Sequence, residues 1–226
     1  MNACAIVLGS GNSERMGGYD KLLTEMQGDP IIVWSLRALE QCGAIHSIVV
    51  TTSISNDEHI RVAVDESRLT KVHTYVHGGS SRSESALLGL RALTEQRPEF
   101  VVVHDGARPL ATPELFRRVV DAVLAGADAV VPGVPVTDSL RTAGGGVVAR
   151  DGVIAVQTPQ GFSADSLRAA HAGGGEASDD ATLVEASGGT VVVVEGEPAN
   201  LKITRPADLD LARLELERIV AGSSHA

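Results

Sequence analysis

The stretch Ala3-Cys4-Ala5-Ile6-Val7-Leu8-Gly9-Ser10-Gly11-Asn12-Ser13-Glu14-Arg15-Met16-Gly17-Gly18-Tyr19-Asp20-Lys21 sets the reading of the whole chain. Its apolar run, residues 3–8, predicts a buried strand that breaks directly into a Gly- and Ser-rich loop. Glycine at positions 9 and 11 lets the backbone come close to a ligand, because no Cβ stands in the way. Arg15 and Lys21, six residues apart, can converge with backbone N–H groups on one anion, and a polyphosphate suits that geometry. The plainer alternative is an ordinary strand-to-helix loop with two solvated cations. Two cations in one such loop favour the phosphate reading.

Two familiar phosphate motifs do not account for it. A Walker A loop needs Gly-Lys-Ser/Thr, and here Lys21 lies between Asp20 and Leu22, with no hydroxyl to meet a metal. A dinucleotide fingerprint needs a third glycine where Glu14 stands and an acidic residue ending the second strand, where Thr51-Thr52 stands. An oxidoreductase is therefore disfavoured.

The bulk composition bounds the rest. With 226 residues, 43% hydrophobic and only 3% aromatic, the chain suits a single α/β domain over residues 1–226 with an aliphatic core. A net charge of −10 argues against a broad surface for nucleic acid or an anionic membrane, so any anion must be held locally. No stretch reaches the roughly 18 apolar residues of a membrane helix, and no basic, cleavable leader opens the chain. A cytoplasmic protein is expected. Cys4 and Cys42 belong to no CxxC or Cys/His cluster and read as reduced, structural thiols.

Outward from the first loop, helical spacing covers residues 31–41, a buried strand 45–52, a helix 56–66 and a strand 72–76. This last strand enters a second glycine turn, His77-Gly78-Gly79-Ser80-Ser81-Arg82-Ser83-Glu84-Ser85, able to hydrogen-bond a polar ligand or simply to cap the next helix. Residues 100–103 form a strand that delivers His104-Asp105-Gly106-Ala107-Arg108-Pro109 at its carboxyl end, where open parallel sheets bind ligands. Asp105 suits a metal or a sugar hydroxyl and Arg108 a phosphate; a local ion pair between them is the alternative. A short strand is expected at 129–132. Two β-rich segments flank Gly144-Gly145-Gly146 and read as a hairpin arm over about residues 134–152, reaching towards a partner subunit. Lys202, between Leu201 and Ile203, needs an anionic partner and reads as a strand-end lysine aimed at a phosphate.

In this order the motifs include Gly78-Gly79-x-x-Arg82-x-x-Ser85, His104-Asp105-Gly106-Ala107-Arg108-Pro109, Gln157-Thr158-Pro159-Gln160, Asp179-Asp180-Ala181 and Asn200-Leu201-Lys202-Ile203-Thr204. Together with the first loop they resemble the 2-C-methyl-D-erythritol 4-phosphate cytidylyltransferases of the non-mevalonate isoprenoid pathway, over about residues 4–218. The resemblance implies a doubly wound, Rossmann-like α/β domain with a mostly parallel sheet, a homodimer joined through the β-hairpin arm, CTP and a polyol phosphate as substrates, and Mg2+ entering with CTP. It names no metal ligand, and sets Asp105 near substrate hydroxyls or the metal. It places Arg15 and Lys21 on the triphosphate, Gly11, Gly79, Ser80 and Ser85 around CTP, and Asp105, Arg108, Thr158 and Lys202 towards the acceptor. Ser139 and Arg150 would reach the neighbouring subunit's site.

The same motifs serve ribitol-5-phosphate cytidylyltransferases and would also suit a nucleotide-binding paralogue of weakened activity. Asp179-Asp180-Ala181 and the strand-end Asp105 motif lean towards methylerythritol phosphate. Gly9-Ser10 stands where the family usually has Ala-Ala, and Asp20 where it usually has Pro. A carboxylate there is placed to pair with Lys21 and weaken its hold on phosphate, so Asp20→Pro is expected to raise activity.

Overall fold

The structure is a computed structural model that describes residues 2–11 and 20–223. The chain runs through β1 (Ala3–Leu8), a 3-10 turn at Lys21–Leu23, β2 (Glu25–Met26), β3 (Asp29–Pro30), α1 (Ile31–Gln41) and β4 (Ile45–Thr52). It continues through α2 (Asp57–Glu66), β5 (Val72–His77), α3 (Arg82–Ala92), β6 (Phe100–Asp105), α4 (Pro113–Leu124) and β7 (Ala129–Pro135). The last part comprises β8 (Leu140–Arg141), β9 (Val147–Val148), β10 (Ile154–Val156), β11 (Gln160–Ser163), α5 (Ala164–Ala172), α6 (Asp180–Ala186), β12 (Val191–Glu195) and α7 (Pro206–Ser223).

The main sheet has the order β10-β7-β11-β6-β1-β4-β5, with β12 joined to β7. Strands β6, β1, β4 and β5 are parallel neighbours, β12 is parallel to β7, and β10 and β11 run antiparallel. Because side chains alternate across a strand, β1 serves two cores at once. Ala3, Ala5 and Val7 pack with Leu36, Ile60, Phe116 and Leu216 on one face. Cys4 and Ile6 pack with Leu90, Leu167 and Val184 on the other. The result is the expected doubly wound α/β domain. Both cysteines are buried and unpaired, and burial pushes the Cys4 thiol up to about 11.

Two expectations change. Strand β7 runs to Pro135 rather than stopping at 132, since β12 on one register and β10 on another give its extra residues partners. Between β10 and β11 lies Gln157-Thr158-Pro159, where the peptide before Pro159 is cis. Lys202 lies in an irregular segment instead of at a strand end, tied to the sheet by Ile203 N–H donating to Ala107 C=O at 2.9 Å. The hairpin does form: Leu140 opposes Val148, Arg141 opposes Val147, and Val147 stands 75% exposed. Among the described residues no helix is long and apolar enough to cross a membrane.

Close packing of α4 on the sheet depends on Gly161, where a Cβ would lie 2.5 Å from Val119 Cγ1 and 2.9 Å from Val123 Cγ2. Both valines are buried in β-branched contacts that cannot swing aside. Gly161→Ala should therefore lower the unfolding free energy by about 1–3 kcal/mol, as overpacking does. The readout is a lower urea midpoint at unchanged slope.

Candidate active site

From β1 the chain moves outward through β4 and β5, then returns by α3 to the opposite side of β1 as β6. That reversal opens a crevice beyond the carboxyl ends of β1 and β6, where ligands bind in open α/β sheets. Gly11, Lys21, Gly79, Ser80, Ser85, Asp105 and Lys202 all line one cavity of about 530 Å³ there. A second, of about 250 Å³, adds Arg108 and Thr158 and shares Arg82, Asp105 and Lys202 with the first. Arg15, expected on the triphosphate, lies outside the described residues.

Asp105 is the hub. Lys202 Nζ approaches it at 2.8 Å, Arg82 Nε at 3.7 Å and Arg108 Nε at 3.8 Å. Burial works against its charge, but Lys202, Arg82 and Arg108 outweigh burial and hold its pKa down at about 2. The cations are in turn aimed from behind. Arg82 Nη1 donates to the fully buried Asp180 at 2.7 Å, and His171 Nε2 lies 3.1 Å from the other oxygen. Arg108 Nη1 donates to Asn200 C=O at 2.7 Å. Asn200 itself is anchored by donating to Thr158 C=O at 2.9 Å. Among the described residues, two buried donors, Arg82 Nη2 and Arg108 Nε, have no hydrogen-bond partner. Such orphans are rare and cost about 1–3 kcal/mol each, which marks the place as one built for a guest.

Beneath Asp105 the proton positions follow from the partners. His104 is fully buried and burial pushes its pKa down to about 4, so it is neutral near pH 7. Its Nε2 lies 3.2 Å from Arg108 C=O, which can only accept, and therefore carries the proton. The bare Nδ1 must then accept from Thr158 Oγ, 3.2 Å away. Thr158 Oγ in turn accepts from Asp105 N–H at 3.0 Å. The one hydroxyl proton of Thr158 is thus committed inside the protein, where it fixes the backbone of Asp105.

The second glycine turn is similarly engaged. Ser85 Oγ donates to Ser81 C=O at 2.8 Å and accepts from Gly79 N–H at 3.1 Å and Ser10 Oγ–H at 3.0 Å. Ser80 donates through both N–H and Oγ–H to Glu84, each at 2.7 Å. At Gly78 a Cβ would fall 2.1 Å from Ser10 Oγ, so the two loops meet only because that residue is glycine. Asp20 does not behave as the sequence suggested: its carboxylate accepts from Leu22 N–H at 2.9 Å and Asn56 Nδ2 at 2.7 Å.

Ser139 and Arg150 line neither cavity. Both sit exposed in the arm, where Arg150 donates to Thr137 C=O. The sequence reading quoted Arg82, Asp180 and Asn200 within motifs without giving them roles, and gave none to Asn56 or His171. The signal for Arg82 was present, as a lone arginine among helix-capping serines.

The chain as a whole has known relatives. The sequence model of IspD, 2-C-methyl-D-erythritol 4-phosphate cytidylyltransferase, matches residues 3–218. The chain belongs to this family. The 2-C-methyl-D-erythritol 4-phosphate cytidylyltransferase of Synechococcus elongatus is 39% identical over 223 residues, covering 94% of this chain and 95% of the relative. That of Rubrobacter xylanophilus is 38% identical over 218 residues, covering 93% of each. Among solved structures, the cytidylyltransferase of Thermus thermophilus superposes with a TM-score of 0.78 at 33% identity, over 95% of this chain and 98% of that one. The 4-diphosphocytidyl-2C-methyl-D-erythritol synthase of Anaerococcus prevotii gives 0.84 at 27% identity, over 96% of both. The doubly wound fold is shared with these structures over 95–96% of this chain.

The neutral His104 gives a pH signature. Unfolding returns it to its ordinary value of about 6.5, so below that pH the unfolded chain takes up a proton the folded chain refuses. Stability should fall by about 3 kcal/mol as pH drops from about 6.5 towards the folded value of about 4. In His104→Gln this window should be flatter, as read by urea unfolding at half-unit pH steps. Equal slopes in both proteins would show that His104 is not held neutral.

Proposed function

We propose that the chain is a CTP-dependent cytidylyltransferase that transfers CMP to 2-C-methyl-D-erythritol 4-phosphate and releases pyrophosphate, in isoprenoid precursor synthesis. The observation that carries this reading is a cationic crevice at the switch point of a family member, where Arg82, Arg108 and Lys202 close on Asp105 and Lys21 lines the same cavity. A phosphate oxygen of the acceptor attacks the α-phosphorus of CTP in line, forming the new P–O–P link as the bond to pyrophosphate breaks. No general base is needed, because a phosphate monoester is already ionised near pH 7. That frees His104 and Thr158 from proton transfer, which their closed hydrogen bonds would not allow.

The protein's task is to bring two anions together and to stabilise charge moving onto the leaving group. Arg15 and Lys21 hold the triphosphate, with Gly11 and Gly79 offering backbone N–H groups and Ser80 and Ser85 shaping the turn around the base. Lys202 and Arg108 meet the acceptor phosphate, Asp105 orients its hydroxyls, and Thr158 acts by fixing Asp105. Mg2+ would enter with the nucleotide. Among the described residues Asp105 is the only carboxylate lining the larger cavity, and no cluster of three His, Cys, Asp or Glu could hold a metal alone. Such a donor set suits an ion bound mainly by phosphate oxygens. When bound, Mg2+ would neutralise charge on the departing pyrophosphate.

The arm completes the reading. It carries Ser139 and Arg150 away from their own chain's cavity, so these residues serve the site of a second copy in a homodimer, with residues 134–152 as the exchanged segment. Deleting residues 142–148 should give a monomer with poor turnover. Light scattering that still finds a dimer would remove the arm from this role.

Lys21→Ala should lower turnover by about 10²–10³-fold, the usual loss when one charge-stabilising donor is removed. Near-normal turnover would sink the triphosphate assignment. In competition, methylerythritol phosphate should outpace ribitol 5-phosphate, with pyrophosphate release as the readout; the reverse order would make the chain a ribitol-5-phosphate enzyme. Absence of release with both would leave a nucleotide-binding paralogue.

A further inference from the structure

The two places where this chain departs from the family's usual first loop, Gly9 and Asp20, meet on one buried side chain. Asn56 is 1% exposed. Its Nδ2 donates to Gly9 C=O at 3.0 Å and to Asp20 Oδ2 at 2.7 Å, while its Oδ1 accepts from Ser53 N–H at 2.7 Å. The amide orientation is fixed by these partners, since turning it over would set an oxygen against two acceptors and an NH2 against a donor. Asn56 also precedes α2, where an asparagine ordinarily caps the helix. Here it makes no such bond. Its polar groups are turned from local helix capping to the first loop.

Both ends of that contact are themselves fixed. Gly9 N–H donates to Thr51 C=O at 2.9 Å. A Cβ on Gly9 would lie 2.6 Å from the same Thr51 oxygen, so its carbonyl can reach Asn56 only from a glycine. At the other end, Asp20 Oδ1 caps the 3-10 turn by accepting from Leu22 N–H at 2.9 Å, and Asp20 C=O accepts from Leu23 N–H at 3.2 Å. Lys21 lies between these two bonds. Its backbone position relative to the end of β1 is therefore set through one amide, Gly9 to Asn56 to Asp20.

We propose that Asn56 and Asp20 are a positioning pair for Lys21, holding it against the Gly9–Gly11 backbone so that ammonium and N–H groups act on the same phosphate. The pair rests on the reading of Lys21 as a triphosphate ligand. It does by a side-chain contact what a proline before the lysine does by restricting φ. Asp20→Pro, far from raising activity, should lower it, because proline keeps neither carboxylate contact.

The test is pyrophosphate release from CTP by Asn56→Ala, Asp20→Asn, the double variant Asp20→Asn/Asn56→Asp, and Lys21→Ala, each with a urea unfolding curve. Asp20→Asn sets amide hydrogens against those of Asn56 yet keeps an oxygen for Leu22. The exchanged pair restores a donor facing an acceptor. Asn56→Ala and Asp20→Asn should each lower kcat by about 10–100-fold, the cost of a misplaced group, with the KM of the acceptor changed by less than about twofold. The exchanged pair should recover part of that loss and not all of it, because the carboxylate placed at position 56 then faces Gly9 C=O, acceptor to acceptor. In a Lys21→Ala background, Asp20→Asn should cost less than about twofold more, because a positioning residue has nothing left to position.

Loss of kcat that is equally large with and without Lys21, or an exchanged pair no better than Asp20→Asn alone, overturns the pairing and leaves Asn56 a structural residue. If Asn56→Ala does not fold, Asp20→Asn and the exchanged pair decide alone. The two readings fail separately: normal turnover in Lys21→Ala refutes the role of the lysine, whereas a slow Lys21→Ala beside normal Asp20→Asn refutes only the pair.

Discussion

A carboxylate taken out of water is tolerable only if enough positive charge comes with it, and Asp105 imposes that condition on everything near it. It stands 8% exposed at the end of β6, and three cations from three separate segments close on it. Each cation needs its own support. Asp180 on α6 steadies Arg82, Asn200 steadies Arg108, and the Ile203–Ala107 bond brings Lys202 within reach. The fold at this end of the sheet is thus a set of braces around one ion cluster. Removing Asp105 would leave like charges facing one another; removing a cation would leave the carboxylate short of compensation. The arrangement is strong while complete, and an incoming phosphate meets cations already held in place.

The preorganisation has a cost that the hydrogen bonds make visible. Buried guanidinium donors left without partners in Arg82 and Arg108 are features a purely structural core would eliminate. Beside them, the hydroxyls of Thr158 and Ser85 are fully engaged within the protein. The site therefore divides labour: long cationic side chains face the guest, and short hydroxyls hold the loops that present them. A hydroxyl's single proton decides the second role, since it cannot serve a ligand and an acceptor within the protein together.

How far this was legible in the sequence follows the same division. The strand over residues 3–8 and its loop, and Asp105 and Arg108 at the end of β6, could be read because apolar runs and strand-end positions are local signals. Lys202's need for an anion was legible too, although Asp105, 97 positions earlier, could not be singled out as that partner. The strand over 129–132 was read too short because Pro132 and Gly133 look like a terminus; β10 and β12 supply partners that no local pattern reveals. Asp180, His171 and Asn200 escaped for a related reason. Their worth lies in hydrogen bonds to residues distant in the chain or in the irregular turns between elements, and such bonds follow neither a 2.0 nor a 3.6 period. Thr158 and Ser85 were found by type but not by direction, since the fate of a hydroxyl proton depends on neighbours fixed only by the fold.

The sign of the whole chain and the sign of its site are opposite, and the distances show why both can hold. A net charge of −10 is spread over the surface of 226 residues, and at physiological ionic strength exposed charges are largely screened beyond about 8 Å. The cations at Asp105 stand within 4 Å of its carboxylate, in a crevice where screening is weak. Long-range attraction would therefore contribute little to the arrival of two anionic substrates, and the local field would do most of the work once they are seated. On the proposed reading, affinity is concentrated in the crevice between β1 and β6, where a small phosphate compound can enter, which is the selectivity a nucleotidyltransferase acting on metabolites requires.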